Sequence, residues 1–339
     1  MTGGPFHAAI ARFLLPLENL MQDATVSEIM INGPADIWVE RGGVLSRTDL
    51  AFPSRQSLDT ALTSISQFCG RPCNAENPIL ETHLPDGSRL EAVLEPIARN
   101  GPTVSIRRFS RKRLTVNDLI GNGALTHEAA LFLARGIARR LNVIVSGGTG
   151  SGKTSLLCAL SSFFLKGERI VVMEDTHELE LQQAHVVYLE TRANDERGKG
   201  AVNMRDLLRA TLRLRPDRIV VGEVRGEEAL DLVQAMTSGH SGSMTTVHAN
   251  TPEDALGRLE AMILCGGSAL PHSALRSQIA SAADILVQVS RTPSGRRMVT
   301  DISLVDSHLV EGGYAVRRVF GLSSEGRLEK VFRRERSRS

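Results

Sequence analysis

The sequence predicts an α/β chain in two parts: a smaller N-terminal α+β domain at residues 1–108, a connection at 109–125, a larger α/β domain at 126–330 and a basic tail at 331–339. Three observations carry this prediction. Beyond Thr126, helix-like and strand-like stretches alternate, and the strands are apolar throughout, as a largely parallel sheet covered on both faces requires. Between one such strand and the next helix lies "GGTGSGKT", Gly147 to Thr154, which fits the spacing G-x-x-x-x-G-K-[ST] of a phosphate-binding loop. Before Arg108 the texture differs: short strands broken by turn signals surround one amphipathic helix. A length of 339 residues also suits two domains of about 100–200 residues each.

In the first domain, "EIMING" and "DIWVERGG" meet at the turn signal "NGP" and read as paired strands. Leu58, Ala61, Leu62, Ile65 and Phe68 then recur at helical spacing. "ILETHL" and "SRLEAVL" flank "PDG", and "TVSIRRF" follows with Val104 and Ile106 alternating. Arg107, Arg108, Arg111, Lys112 and Arg113 crowd the approach to "LTVNDLIGNGAL", a Gly- and Asn-bearing stretch that reads as the interdomain connection. The second domain proceeds as helix "HEAALFLARGIARRL", strand "NVIVSGG", helix "KTSLLCALSSFFL" and strands "RIVVMED" and "HVVYLET". Helix "NMRDLLRATLRL", strand "RIVVGEV", helix "EEALDLVQAMTSG" and strand "SMTTVHAN" come next. "TPEDALGRLEAMIL" opens a further helix on Thr251 as N-cap and Pro252 in the first turn. Helix and hairpin-like strands close the chain before the tail "KVFRRERSRS", which reads as disordered.

Bulk properties exclude several classes. A net charge of +2 with 23% charged residues gives no general polyanion-binding surface. The basic connection and tail lack interleaved aromatic residues for stacking bases, so no direct nucleic-acid contact is expected. No apolar run reaches the ~18 residues that span a bilayer, and "AAIARFLLPLENLM" lacks a basic start and a small-residue cleavage site. The chain therefore reads as cytoplasmic. Cys69, Cys73, Cys158 and Cys265 have no partners at zinc-site spacing and read as reduced thiols.

The chemistry concentrates around the loop. Gly147, Gly148, Thr149, Gly150, Ser151, Gly152, Lys153, Thr154 and Ser155 are the nucleotide-binding candidates. Backbone amides of such a loop form an anion nest, Lys153 neutralises β- and γ-phosphate oxygens, and the Thr154 hydroxyl faces Mg²⁺. "RIVVGEVRG" brings Glu223 to the carboxyl end of a strand, where a carboxylate polarises water. Gly222 takes the step usually held by an Asp, so a metal must find its second carboxylate elsewhere. "VVMEDTHELE" offers Glu174 and Asp175 at a strand end, with Glu178 one turn further. His248, at the end of "MTTVH", can hydrogen-bond the γ-phosphate or Glu223, and His240 is held more loosely. Arg107 and Arg225 are candidate charge stabilisers for phosphoryl transfer, although each alone reads equally well as a solvated charge.

The loop, "VVMEDTHELEL", "VNMRDLLRATLRLRPDRIVVGEVRG" and "GHSGSMTTVHAN", in this order, resemble the hexameric ATPases of type II and type IV secretion systems. That family calls these stretches the Walker A, Asp-box, atypical Walker B and His-box. The wording is most similar to the CpaF branch, which serves the tight-adherence (Tad, Flp-type) pilus. "SEIMINGPADIWVERGG", "LPDGSRLEAVL", "GPTVSIRRF" and "IASAADILVQVSR" extend the resemblance over Thr25 to Val305. Only about two dozen residues precede the first strand pattern, where many CpaF-like chains carry a long extension, and Glu81 and His83 replace a more usual Asp and Arg. A short N-terminus is more like the conjugative and effector-exporting motors, and the four-cysteine insertion of type II enzymes is absent.

The resemblance implies a RecA-like C-terminal domain, a ring of six with ATP and Mg²⁺ at subunit boundaries, and an inner-membrane platform protein as partner. It assigns phosphate and Mg²⁺ roles to Lys153 and Thr154, water activation to Glu223, the Asp-box role to Glu174, Asp175 and Glu178, and the His-box role to His248. Arg107, Arg192, Arg209 and Arg225 are the positions for charge stabilisers. The function expected is a cytoplasmic motor peripheral to the inner membrane that powers a Tad-type pilus or protein secretion. The alternative is a type IV secretion or conjugative transfer motor, followed by a non-hydrolysing nucleotide-gated scaffold and a DNA-translocating motor.

Overall fold

A computed structural model describes residues 13–108, 114–192, 194, 199–292 and 295–331. Arg111, Lys112 and Arg113 of the basic connection, and all of the tail after Val331, lie outside the described residues. The chain forms two compact units, residues 1–112 with 194–199 and residues 113–193 with 200–339.

The first unit is a six-stranded antiparallel sheet with helices against it. Its strands are β1 (Val26–Asn32), β2 (Ile37–Arg41), β3 (Val44–Arg47), β4 (Ile79–His83), β5 (Arg89–Val93) and β6 (Thr103–Arg107), in the order β3-β2-β1-β6-β5-β4. The helices are α1 (Glu18–Gln22) and α2 (Arg55–Cys69). Alternation decides the buried face. Ile29, Ile31, Ile37, Val39, Leu90, Ala92, Val104 and Ile106 pack with Leu58, Ala61, Leu62 and Ile65 of α2. Ser54 and Ser57 close a capping box at the start of α2, and Gly70, at φ +62°, ends it. Phe68 leaves the predicted stripe and is exposed, because ten residues at about 100° per residue carry it roughly 80° off the face set by Leu58.

The second unit carries the loop. Its helices are α3 (Val116–Gly121), α4 (His127–Ala138), α5 (Lys153–Ser161), α6 (Met204–Thr211), α7 (Glu228–Thr237), α8 (Pro252–Cys265) and α9 (His272–Ala282). Its strands are β7 (Val143–Gly147), β8 (Ile170–Glu174), β9 (Val186–Glu190), β10 (Arg218–Val221), β11 (Met244–His248), β12 (Ile285–Arg291), β13 (Arg297–Val310), β14 (Gly313–Leu322) and β15 (Leu328–Lys330). They make one nine-stranded sheet, β15-β14-β13-β12-β7-β11-β10-β8-β9, parallel from β12 to β9 and antiparallel from β12 to β15. The hairpin-like strands at the chain's end thus extend the same sheet. Within the stretch read as a connection, Thr115 and Asp118 form a capping box that starts α3.

The apolar-throughout strands are explained by two cores. Val143, Val145, Val172, Val220 and Val287 face α4 and α5, whereas Ile144, Val171, Ile219, Val221 and Leu286 face the side of α6 to α9. Both faces are therefore dry, and the polar business of the sheet moves to its strand ends. At the amino ends, fully buried Arg218 holds Glu168 at 2.6 Å, donates to the carbonyls of Gly242 and Ile137, and lies over the Phe164 ring. Asn142 bonds the amides of Gly242 and Ser243 beside it. The carboxyl ends carry the candidate site residues.

Candidate nucleotide site

β7 ends at Gly147, and the chain turns through Gly148 to Ser151 into α5. Gly150 and Gly152 hold φ of +66° and +99°, backbone that a side chain would strain. A Cβ on Gly147 would sit 2.3 Å from the Val289 carbonyl oxygen, so β12 packs directly on the loop's first glycine. Around Gly148 and Gly150 the same Cβ would meet nothing within 4 Å. This open cradle faces the N-terminus of α5, whose first turn has no side-chain cap. Buried Lys153 reaches back so that Nζ donates to the carbonyls of Gly147 and Gly148 at 3.1 and 3.0 Å. Ser151 Oγ is buried without a hydrogen-bond partner. An uncapped helix start, an enclosed ammonium and an orphaned hydroxyl beside open glycines fit a phosphate group. Thr149 and Ser155 are exposed and Thr154 is half-buried along the same turn.

Strand order brings the other candidates to this cradle. β11 lies between β7 and β10, and its register sets His248 opposite Gly147. Gly222 continues β10 beside the end of β8, where Val221 pairs with Met173. His248 Nε2 lies 3.0 Å from Glu223 Oε1, and Lys153 Nζ lies 3.4 Å from both ring nitrogens. Arg225 donates to Glu223 Oε2 at 2.7 Å and stands 3.6 Å from Asp175 Oδ2. Glu228 accepts from the amides of Arg225 and Gly226, fixing the loop that carries this arginine. Burial lowers the His248 pKa, and Lys153, Arg225 and Arg258 push it the same way against the pull of Glu223. The ring is therefore neutral at neutral pH, able to donate one N–H to Glu223.

The Asp-box residues divide. Asp175 is exposed and accepts from the Thr191 hydroxyl at 3.3 Å, and Glu178 is half-buried. Glu174, 5% exposed, turns inward instead. Its Oε1 accepts from the backbone amides of Glu178 and Leu179 at 3.1 and 3.0 Å. Burial pushes its pKa up to about 8 against those two bonds, and the charges of Glu178 and Glu190 add to the rise. Among the described residues no three His, Cys, Asp or Glu side chains gather into a metal cage. That is compatible with a divalent ion such as Mg²⁺, which binds through few protein groups and substrate phosphates.

Residues 13–309 match the family model described as type II/IV secretion system protein. The chain belongs to that family. A putative conjugal transfer protein of Mycobacterium tuberculosis is 36% identical over 295 residues, covering 85% of this chain and 83% of its own. The conjugal transfer protein TrbB of Rhizobium radiobacter is 35% identical, covering 82% and 83%. The type IV secretion system protein PtlH of Bordetella pertussis is 33% identical, covering 87% and 95%. Among solved structures, the Legionella pneumophila ATPase DotB aligns with a TM-score of 0.60 at 20% identity, covering 86% of this chain and 79% of that one. The pilus retraction motor PilT, solved with bound ADP, aligns at 0.56 and 16% identity, covering 96% and 83%. These two likenesses are of fold: a P-loop α/β C-terminal domain with a smaller N-terminal α+β domain.

In this secretion-family chain the remaining candidate arginines bond elsewhere or belong to the first unit. Arg107 belongs to the first unit, exposed on the last residue of β6. Arg192 donates to the Gly200 carbonyl at 2.6 Å, and Arg209 joins Arg205 on Asp231 of α7. His240 precedes β11 and so lies at the amino end of the sheet. One participant was missed. Buried Gln288 of β12 accepts from the Ser146 hydroxyl at the base of the loop and donates to the carbonyls of Ala249 and Asn250, directly after His248. The available signal was a lone amide interrupting the apolar run "ILVQV".

Proposed function

We propose that this chain is an ATP-hydrolysing motor subunit, using Mg²⁺, that works as a cytoplasmic ring of six docked on an inner-membrane platform. The observation that carries hydrolysis is the sequence of contacts from Lys153 through His248 to Glu223, three strand ends converging on a phosphate cradle. A γ-phosphate beside Lys153 offers the ammonium a stronger partner than two carbonyls, and offers Arg225 an anion to share with Glu223. Glu223, held by neutral His248, then accepts a proton from the attacking water. Mg²⁺ would supply neutralisation of β- and γ-phosphate charge, with Thr154 and Asp175 the protein groups available to it. The reading places the motor in a type IV secretion or conjugal-transfer machine, supported by the names of the relatives. The Tad-type pilus is kept as a second reading on the CpaF-like wording of "SEIMINGPADIWVERGG" and "IASAADILVQVSR".

Phosphate release by wild type and Lys153→Ala, with binding of a fluorescent ADP analogue and particle mass measured alongside, tests the proposal. Wild type is expected to turn over ATP as a hexamer, without stimulation by single- or double-stranded DNA, and Lys153→Ala to lose binding and turnover together. Normal turnover in Lys153→Ala removes the site assignment. Slow release equal in both, with a stable ring, favours a scaffold, and strong stimulation by DNA favours a DNA-translocating motor.

A further inference from the structure

Gly222 and Glu174 explain each other. Gly222 occupies the strand position where an Asp is usual, and its amide donates to the Met173 carbonyl at 2.8 Å, locking β10 to the end of β8. A Cβ on Gly222 would lie 2.8 Å from Glu174 Cγ and 3.2 Å from Oε1. The side chain missing from β10 thus leaves the room that the Glu174 side chain fills from the neighbouring strand. Its carboxyl bonds the stretch that follows its own strand. It curls over the chain that follows and takes the amides of Glu178 and Leu179, with Leu179 also 3.2 Å from Oε2 and His177 Nδ1 at 3.6 Å. Those bonds close residues 175–179 into a loop, with Asp175 at its start near Arg225 and Glu178 at its end.

We infer that Glu174 is a positioning residue: with Gly222 it clamps the loop that presents Asp175 and Glu178, and it does not ligate the metal. The inference rests on the hydrolytic reading of this site for its effect on rate, but not for its effect on the loop. Unclamped, the loop would move its two carboxylates by an ångström or more, a displacement that costs about 10²-fold in rate. Glu174→Gln keeps a carbonyl oxygen to accept the two amides, whereas Glu174→Ala keeps nothing.

Amide hydrogen exchange over residues 175–181 decides the structural half without any turnover. Exchange at Glu178 and Leu179 should accelerate at least about tenfold in Glu174→Ala and much less in Glu174→Gln. Unchanged protection in Glu174→Ala overturns the clamp. In phosphate release, kcat of Glu174→Ala should fall about 10- to 100-fold, Glu174→Gln should recover much of the loss, and the half-saturating Mg²⁺ concentration should stay put in both. A Mg²⁺ requirement raised alike in both variants would show a ligand and overturn the inference. Gly222→Ala supplies a second route: it should cost rate in the wild-type background and little when added to Glu174→Ala. Additive losses would mean that the two residues act separately and would contradict the proposal. A wild-type chain that releases no phosphate would count against the proposed function alone, since the exchange result stands independently.

Discussion

His248 shows how one side chain carries two signals. It faces Lys153 on one side and Glu223 on the other, and burial keeps its pKa below the ordinary value of 6.5. A depressed histidine pKa favours the neutral ring in the folded state. The stability it lends is present above 6.5 and is lost as pH falls through the lower folded value. Below that value the ring gains a proton next to Lys153 and Arg225 and pairs with Glu223 as a cation, weakening the carboxylate as a base. The acid limb of phosphate release should therefore lie below pH 6.5, and His248→Gln should shallow it while lowering the plateau; a limb centred above pH 6.5 would contradict the neutral ring. That Lys153, Glu223 and His248 stand at neighbouring strand ends was legible from the apolar runs that lead into each of them. The inward turn of Glu174 and the bridging by Arg225 and Gln288 were not, because they depend on which strands lie side by side.

Among elements, β10 is built at both ends by charge. Its carboxyl end leads into Glu223, while its first residue, Arg218, is wholly buried in bonds to Glu168, Gly242 and Ile137. Arg140 also reaches Glu168 at 3.0 Å, so one buried carboxylate ties the approaches to β7, β8 and β10. Removing the guanidinium takes from Glu168 its closest partner and from the Gly242 and Ile137 carbonyls one bond each, although Ile137 still accepts from the Arg140 amide. Arg218→Ala should destabilise by about 3–5 kcal/mol, read as a lower urea midpoint at unchanged slope; a shift below about 1 kcal/mol, the scale of an exposed pair, would mean that Arg140 and water replace it. The run "RIVVGEV" predicts a strand starting at this residue, but nothing in it marks the arginine as buried. A charge at a strand's start ordinarily points to solvent, and only the neighbouring Phe164 and Gly242 close it in. Strand identity was legible from the unbroken apolar runs. Strand order was not, since β7 pairs with β11 and β12, about 100 and 140 residues away, and no local pattern encodes that.

At the scale of the molecule, two compact units and a family membership spanning residues 13–309 frame what the site can serve. The change of texture near Arg108 reflects a change of sheet type, antiparallel and one-sided before it, mixed with a two-sided parallel part after it. The connection was less legible because Gly and Asn in "IGNGAL" masked the capped helix α3. Arg107, Arg192 and Arg209 are all exposed on their own units. The most direct measurement is steady-state phosphate release by the assembled wild type and by Glu223→Gln, with nucleotide binding followed in parallel. Wild type should turn over, and Glu223→Gln should bind the nucleotide as tightly while releasing phosphate about 10²- to 10⁴-fold more slowly. Equal rates in the two proteins would contradict the assignment of Glu223 as the water-activating base.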